Sequence, residues 1–152
     1  MSKKKIVFFV STDRYFITHR LNLAVSAIEM NYEVYLITTV TSEEYLDKIE
    51  MKNIKVIDLK LNRSGKNPII ELLFFFKLLN RIRSIKPDII HNVAMKPVIY
   101  GSIISKIVKT KKTVNAIAGT GIVFSKKNIS NIFVKQVLKL LLFLSLHKSK
   151  II

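Results

Sequence analysis

Ile6-Val7-Phe8-Phe9-Val10 is an unbroken apolar, β-favouring run that starts almost at the N-terminus. A strand without polar alternation buries both of its faces, which requires a parallel sheet covered by helices on either side. Ser11 to Ile17 follow, polar or aromatic except for Ile17, and read as a sharp loop. The period then changes. Leu21, Ala24, Val25 and Ile28 repeat at i, i+3, i+4 and i+7, the buried stripe of a helix. Thr18 is the expected N-cap, which puts His19 and Arg20 in the first turn. A cation there opposes the helix dipole unless an anion lies in front of it. Phosphate would be such an anion, because a helix N-terminus beyond the carboxyl end of a parallel strand is an anion site. Equally, Arg20 is solvated and His19 packs on the loop. The residues alone leave both open.

The rest of the chain alternates in the same way. Tyr32 to Thr38 is a second strand, and Ser42 caps a short helix with Glu43 and Glu44 in its first turn. Ile54 to Ile57 is a third strand, and Asn62 to Pro68 a loop by its Gly, Asn and Pro content. A helix from about Ile69 to Arg83 enters just after Pro68. Ile89 to His91 is a fourth strand, Pro97 to Val108 a helix, and Lys112 to Ile117 a fifth strand. Gly119-Thr120-Gly121 leads to a helix from about Asn131 to Leu146, and Lys150-Ile151-Ile152 looks like the opening of a sixth strand. Strands separated by helices predict an α/β, doubly wound parallel sheet of Rossmann-like type. Right-handed crossovers give the order 3-2-1-4-5, with ligands where strands one and four diverge. A chain stopping at a strand opening reads as one domain, residues 1–152, of something longer.

Composition limits the function classes. The chain has 152 residues, a hydrophobic fraction of 49% and a net charge of +16 spread along its length. That charge suits nucleic acid, an anionic membrane or a phosphorylated ligand, although a lysine-rich coding bias gives the same sum. Three His and no Cys leave no metal cluster at useful spacing and no disulfide. No Walker loop or G-x-G-x-x-G follows the first strand, so neither an NTPase nor a dinucleotide-binding Rossmann domain is expected. Asp13, Asp58 and Asp88 form no carboxylate pair suited to glycoside hydrolysis. The apolar run Val137 to Leu146 is broken by Lys139 and falls short of the ~20 residues of a spanning helix. A cytoplasmic protein is expected.

Three loops at the carboxyl edge carry basic side chains: Arg20 with His19 after strand one, Arg63 after strand three, and Lys96 with His91 after strand four. Each has a structural explanation on its own. His91 could be a hydrogen-bonded core histidine, Lys96 a solvated lysine, and Gly119 with Gly121 a turn. Their convergence on one sheet edge favours an anion site.

Five segments in order carry a resemblance: Asp13 to Leu21, Leu61 to Pro68, Lys86 to His91, Met95 to Gly101, and Gly119 to Phe124. Together they resemble the N-terminal domain of family-4 glycosyltransferases of the GT-B fold. The branch that extends undecaprenyl-diphosphate-linked sugars for capsule, O-antigen or glycoprotein glycans is the most similar. The resemblance implies an N-terminal domain that holds the acceptor and leans on the membrane. A second domain, outside these residues, binds the nucleotide-sugar and carries paired glutamates, and transfer proceeds with retention. It implies an isolated domain that is inactive; no further cofactor, no metal and no nucleic-acid partner are expected. His19, Arg20, Arg63, His91, Lys96, Gly119, Thr120 and Gly121 are the acceptor and phosphate-binding candidates. Gly119 stands where many members carry a histidine, so no catalytic residue is assigned. A basic α/β module binding nucleic acid is the alternative; it calls for aromatics interleaved with the basic residues on one face, and no such pattern is present.

Two helices look interfacial. Phe74, Lys77 and Arg81 share a stripe, with Leu72, Phe76, Leu79 and Arg83 opposite. Lys135 and Lys139 share a face with Leu142 and Leu146. Basic residues beside exposed apolar ones let a helix lie in an anionic interface, giving a protein peripheral to the cytoplasmic membrane. Cover by another protein domain would use the same faces.

Overall fold

The computed structural model describes residues 3–60, 68–117 and 150–151. Its strands are β1 (Lys5–Val10), β2 (Glu33–Thr38), β3 (Lys55–Asp58), β4 (Ile89–Val93), β5 (Lys112–Ala116) and β6 (Lys150–Ile151). The helices are α1 (Asp13–His19), α2 (Leu21–Glu29), α3 (Glu43–Glu50), α4 (Pro68–Ile85) and α5 (Met95–Ile107). The strands form one parallel sheet in the order β3-β2-β1-β4-β5-β6. The expected order is therefore observed, with β6 added beyond β5. The expected helix over Asn131–Leu146 lies outside the described residues.

β1 is buried on both faces, as its uninterrupted apolar run requires. Val7 and Phe9 enter a core with Leu78 and Ile82 of α4 and Ile104 of α5. Phe8 and Val10 enter a second core with Phe16 of α1, Ala24 of α2 and Ile49 of α3. Each such buried side chain contributes about 1.5–3 kcal/mol of transfer free energy, so the central strand fixes both helical layers at once.

The segment after β1 is not the expected loop. Thr12, not Thr18, is the N-cap: its Oγ1 accepts the Tyr15 N–H at 3.4 Å, and α1 runs to His19. Thr18 lies inside that helix, where its hydroxyl donates to the Arg14 carbonyl at 2.9 Å. His19 is therefore in a last turn, where a cation is favoured by the dipole, and Arg20 is the joint between α1 and α2. The dipole conflict expected for His19 does not arise, and at Arg20 the C-terminus of α1 meets the N-terminus of α2. The physical reason is Phe16, which packs edge-on against Phe8 at 5.7 Å and buries α1 through one aromatic instead of a repeating stripe.

β4 also runs further than expected, to Val93. His91, its expected last residue, and Asn92 sit within the strand, opposite Phe8 and Phe9 of β1. Asn92 is tolerated there because its Nδ2 donates to Asn115 Oδ1 of β5 at 2.8 Å, an acceptor shared with the Ser102 hydroxyl of α5 at 3.1 Å. α5 presses against this pair. A Cβ on Gly101 would lie 1.8 Å from Asn92 Oδ1, so glycine permits the close approach of helix and sheet.

Candidate functional site

The order places the switch point between β1 and β4, where the crossovers leave in opposite directions and a crevice opens at the carboxyl ends. Two helix N-termini meet that crevice, those of α1 and α5.

The α1 terminus is closed by the chain's own carboxylate. Asp13 is fully buried in its first turn. Its Oδ1 accepts the Arg14 N–H at 2.7 Å and the Thr41 hydroxyl at 2.6 Å. Its Oδ2 accepts the backbone N–H groups of Thr41 at 2.6 Å and Ser42 at 3.3 Å, just ahead of α3. Burial alone would raise this carboxyl, but the hydrogen bonds from Thr41, Arg14 and Ser42 outweigh it and hold its pKa below the usual value. One carboxylate thus fills the anion position of α1 and ties it to the entrance of α3.

The α5 terminus is different. It has no acid in its first turn and no side-chain cap, and Ala94 ahead of it has φ 83° and ψ 164°. That region belongs essentially to glycine, and strained backbone of this sort concentrates at functional sites. Hydrogen bonds fix it on both sides: the Ala94 N–H donates to the Ala116 carbonyl at 3.1 Å, and the Ala94 carbonyl accepts the Val98 N–H at 2.9 Å. Lys96 follows in the first turn. Its Nζ contacts Glu71 of α4 at 2.7 Å and lies 5.7 Å from the rings of both Phe74 and Tyr100. The two charged side chains are 21% and 19% exposed, so this pair is largely withdrawn from water. The Tyr100 hydroxyl donates to the second Glu71 oxygen at 2.6 Å. Burial works to raise the Glu71 carboxyl, and the bonds from Lys96 and Tyr100 reverse it to a net lowering.

His91 and Arg20 are brought together between these termini. His91 is buried against Phe8, ring centres 5.3 Å apart. Burial first, and then the Arg20 charge, push its pKa down to about 4, so the imidazole is neutral at physiological pH. His91 Nε2 and Arg20 Nε are both buried without a hydrogen-bond partner among the described residues. Arg20 also donates from Nη1 to the His19 carbonyl at 2.8 Å. His19 is exposed, its ring tilted against that of Tyr15 with centres 4.5 Å apart.

The expected basic cluster is thus divided. Arg20 faces His91, whereas Lys96 turns to Glu71. Arg63, Gly119, Thr120 and Gly121 lie outside the described residues. Glu71 was missed as a member of this edge, and the structural role of Asp13 there was missed, because their partners, Lys96 and Thr41, come from other elements. The Thr12-Asp13 pair ahead of an aromatic was the one local signal, since threonine followed by an acid is how helices begin.

The face of α4 near this edge is apolar. Ile69, Ile70, Leu72, Leu73 and Phe76 are each at least half exposed, with Lys77 and Arg81 exposed just after them. The two stripes read from periodicity are corrected here. Leu79 is buried, and Phe74 packs on the core beside Tyr100, because the α4–α5 contact takes that side of the helix. No described helix is long and apolar enough to cross a membrane.

The family described as glycosyl transferase 4-like matches residues 5–152. Among solved structures, the chain is similar to MurG of Acinetobacter baumannii, with a TM-score of 0.57 and 13% identity over 88% of this chain and 39% of that one. It is similar to a UDP-N-acetylglucosamine 2-epimerase, with a TM-score of 0.61 and 14% identity over 97% of this chain and 40% of that one. A glycosyltransferase from Rickettsia africae gives a TM-score of 0.59 and 17% identity, over 99% and 42%. At these identities the likeness is one of fold. The chain spans about two fifths of the length of these structures. None of the curated proteins compared with it matches.

Proposed function

Since the chain belongs to the glycosyl transferase 4-like family, we propose that it is the acceptor-side, N-terminal half of a retaining glycosyltransferase. The transfer runs from a nucleotide-sugar to a lipid-diphosphate-linked sugar, of the undecaprenyl-diphosphate type, in surface polysaccharide or glycan biosynthesis. The observation that carries this reading is the open N-terminus of α5, which offers an anion the dipole and Lys96 beside a crevice. Arg20 adds a second cation on the β1 side. His91, neutral and buried, forms the floor between them.

The exposed apolar half of α4 supports a lipid-linked acceptor. Ile69, Leu73 and Phe76 would enter the headgroup boundary, while Lys77 and Arg81 face anionic lipid, each worth about 1 kcal/mol there. The acceptor's diphosphate then reaches α5 from the bilayer side without leaving the interface. The nucleotide-sugar sits chiefly against a second α/β domain outside these 152 residues, which stabilises the departing nucleotide diphosphate.

The purified chain, given labelled nucleotide-sugars and a lipid-diphosphate sugar, should bind the acceptor and transfer nothing. Robust turnover by these 152 residues would overturn the division of labour. Vesicle co-sedimentation tests the membrane half. Binding should require anionic lipid, weaken with salt and fall in the Leu73→Ser, Phe76→Ser variant. Equal pelleting with zwitterionic vesicles would assign this face to protein contacts.

A further inference from the structure

The edge of the sheet opposite the crevice holds a cavity of about 540 Å³ between the C-terminal ends of α4 and α5. Arg83, Lys86, Lys109 and Lys111 line it, with Asp88 as its one acid. A smaller cavity of about 150 Å³ shares Asp88 and Lys111 and adds Lys4 and Lys112. The two share a wall, and six exposed cations stand around them against one carboxylate.

That carboxylate is engaged in structure. Asp88 Oδ2 accepts the Lys5 N–H at 2.9 Å, and Oδ1 accepts from Lys111 Nζ at 2.7 Å. Its backbone joins the ladder on both sides, donating to the Lys5 carbonyl at 2.9 Å and accepting the Lys112 N–H at 3.1 Å. Asp88 therefore clamps the start of β4 to β1 and β5 and has little left to neutralise the remaining cations.

Helix dipoles explain a cation at each helix end but not the residues chosen. Four helices close with a left-handed residue just beyond them. After α2 and α3 it is Asn31 and Asn53, at φ 64° and 59°. After α4 and α5 it is Lys86 and Lys109, at φ 54° and 55°. Asparagine tolerates this conformation better than lysine. The chain thus uses the tolerant residue at two ends and a strained lysine at the two that frame the cavity.

We propose that this amino edge is a second anion site, taking a ligand with several phosphate groups in series. The larger cavity holds one phosphate among Arg83, Lys86 and Lys109, and the chain of phosphates continues past Lys111 towards Lys4 and Lys112. It is independent of the acceptor reading, because the site lies at the other end of every strand.

Calorimetric titration of inorganic tripolyphosphate into the 152-residue chain at physiological salt tests it. One-to-one binding is expected, falling about tenfold in the Lys86→Asn, Lys109→Asn variant, whose new residues suit the left-handed backbone. A control, Lys52→Gln with Lys60→Gln, removes the same charge elsewhere and should bind within about twofold of wild type. Absence of binding overturns the proposal. So does an equal loss in both variants, which would mean attraction to net charge alone, or a loss confined to Lys96→Ala, which would place the phosphates at the other edge. Thermal melts of each variant confirm that it is folded before titration.

Discussion

The N-termini of α1 and α5 face one crevice from neighbouring strands, yet they are built in opposite ways. α1 begins with a buried acid that its own chain supplies, and that acid is held by Thr41 and Ser42 at the start of α3. α5 begins after a strained alanine, carries no acid in its first turn, and places a lysine where the dipole disfavours one. The first is a finished joint. In the second, Glu71 reaches across from α4 to hold the lysine, and on the proposed function an incoming phosphate would take Glu71's place. A helix N-terminus therefore says little about function until the group that answers its dipole is identified.

Breaking the closed terminus should have the largest effect. Asp13→Ala leaves the Thr41, Ser42 and Arg14 donors without their acceptor and should cost about 3–4 kcal/mol in denaturant unfolding. The pH dependence has the matching sign. Because the folded pKa of Asp13 is lowered, its stabilisation is present above the ordinary carboxylate value and is lost as pH falls through the lowered one.

Unseating the open terminus comes next. Gly101→Ala drives a methyl into Asn92 and should cost about 2–3 kcal/mol. Asn92→Ala in the same chain should recover part of that loss in a double-mutant cycle, whereas strict additivity would refute the contact.

His91, which lies between the two, gives a third test. With its folded pKa lowered to about 4, the unfolded chain takes up a proton that the folded chain refuses. Stability should therefore decline as pH falls from about 6.5 towards 4, by about 2–3 kcal/mol at most. His91→Phe should flatten that interval, and an unchanged slope would show that His91 is accessible and charged in the fold.

How much of this was legible follows from what each residue depends on. The strands and their order were readable because β1 and most of β2 are buried on both faces and their apolar runs record that directly, while Ile89-Ile90 after Pro87-Asp88 marked the start of β4. The helix α1 was not, since its one buried apolar residue, Phe16, makes no period and its acid looks solvent-facing until Thr41 is placed beside it. β4 was read as ending at His91, because Asn115, the partner that lets Asn92 remain in a strand, is on another element. Arg20 and Lys96 lie at the carboxyl edge, where the loop assignments placed them. That Lys96 is paired with Glu71 was beyond any local pattern, as those two residues are 25 positions apart. The strain at Ala94 leaves no mark in the sequence at all.

The smallest effects sharpen the open terminus. Ala94→Gly relieves the backbone and should stabilise the fold by about 1 kcal/mol, read as a higher midpoint in urea. Glu71→Gln should cost about 1 kcal/mol by removing the charge that holds Lys96, while raising affinity for a diphosphate about threefold because Lys96 is released.

The α5 terminus as the acceptor's diphosphate site is tested most directly by titrating a short-chain isoprenyl diphosphate bearing one sugar into the 152-residue chain. Wild type should bind. Lys96→Ala should bind about tenfold more weakly and Glu71→Gln more tightly, with Lys86→Asn, Lys109→Asn unchanged. No binding by wild type, or equal binding by wild type and Lys96→Ala, would contradict the assignment.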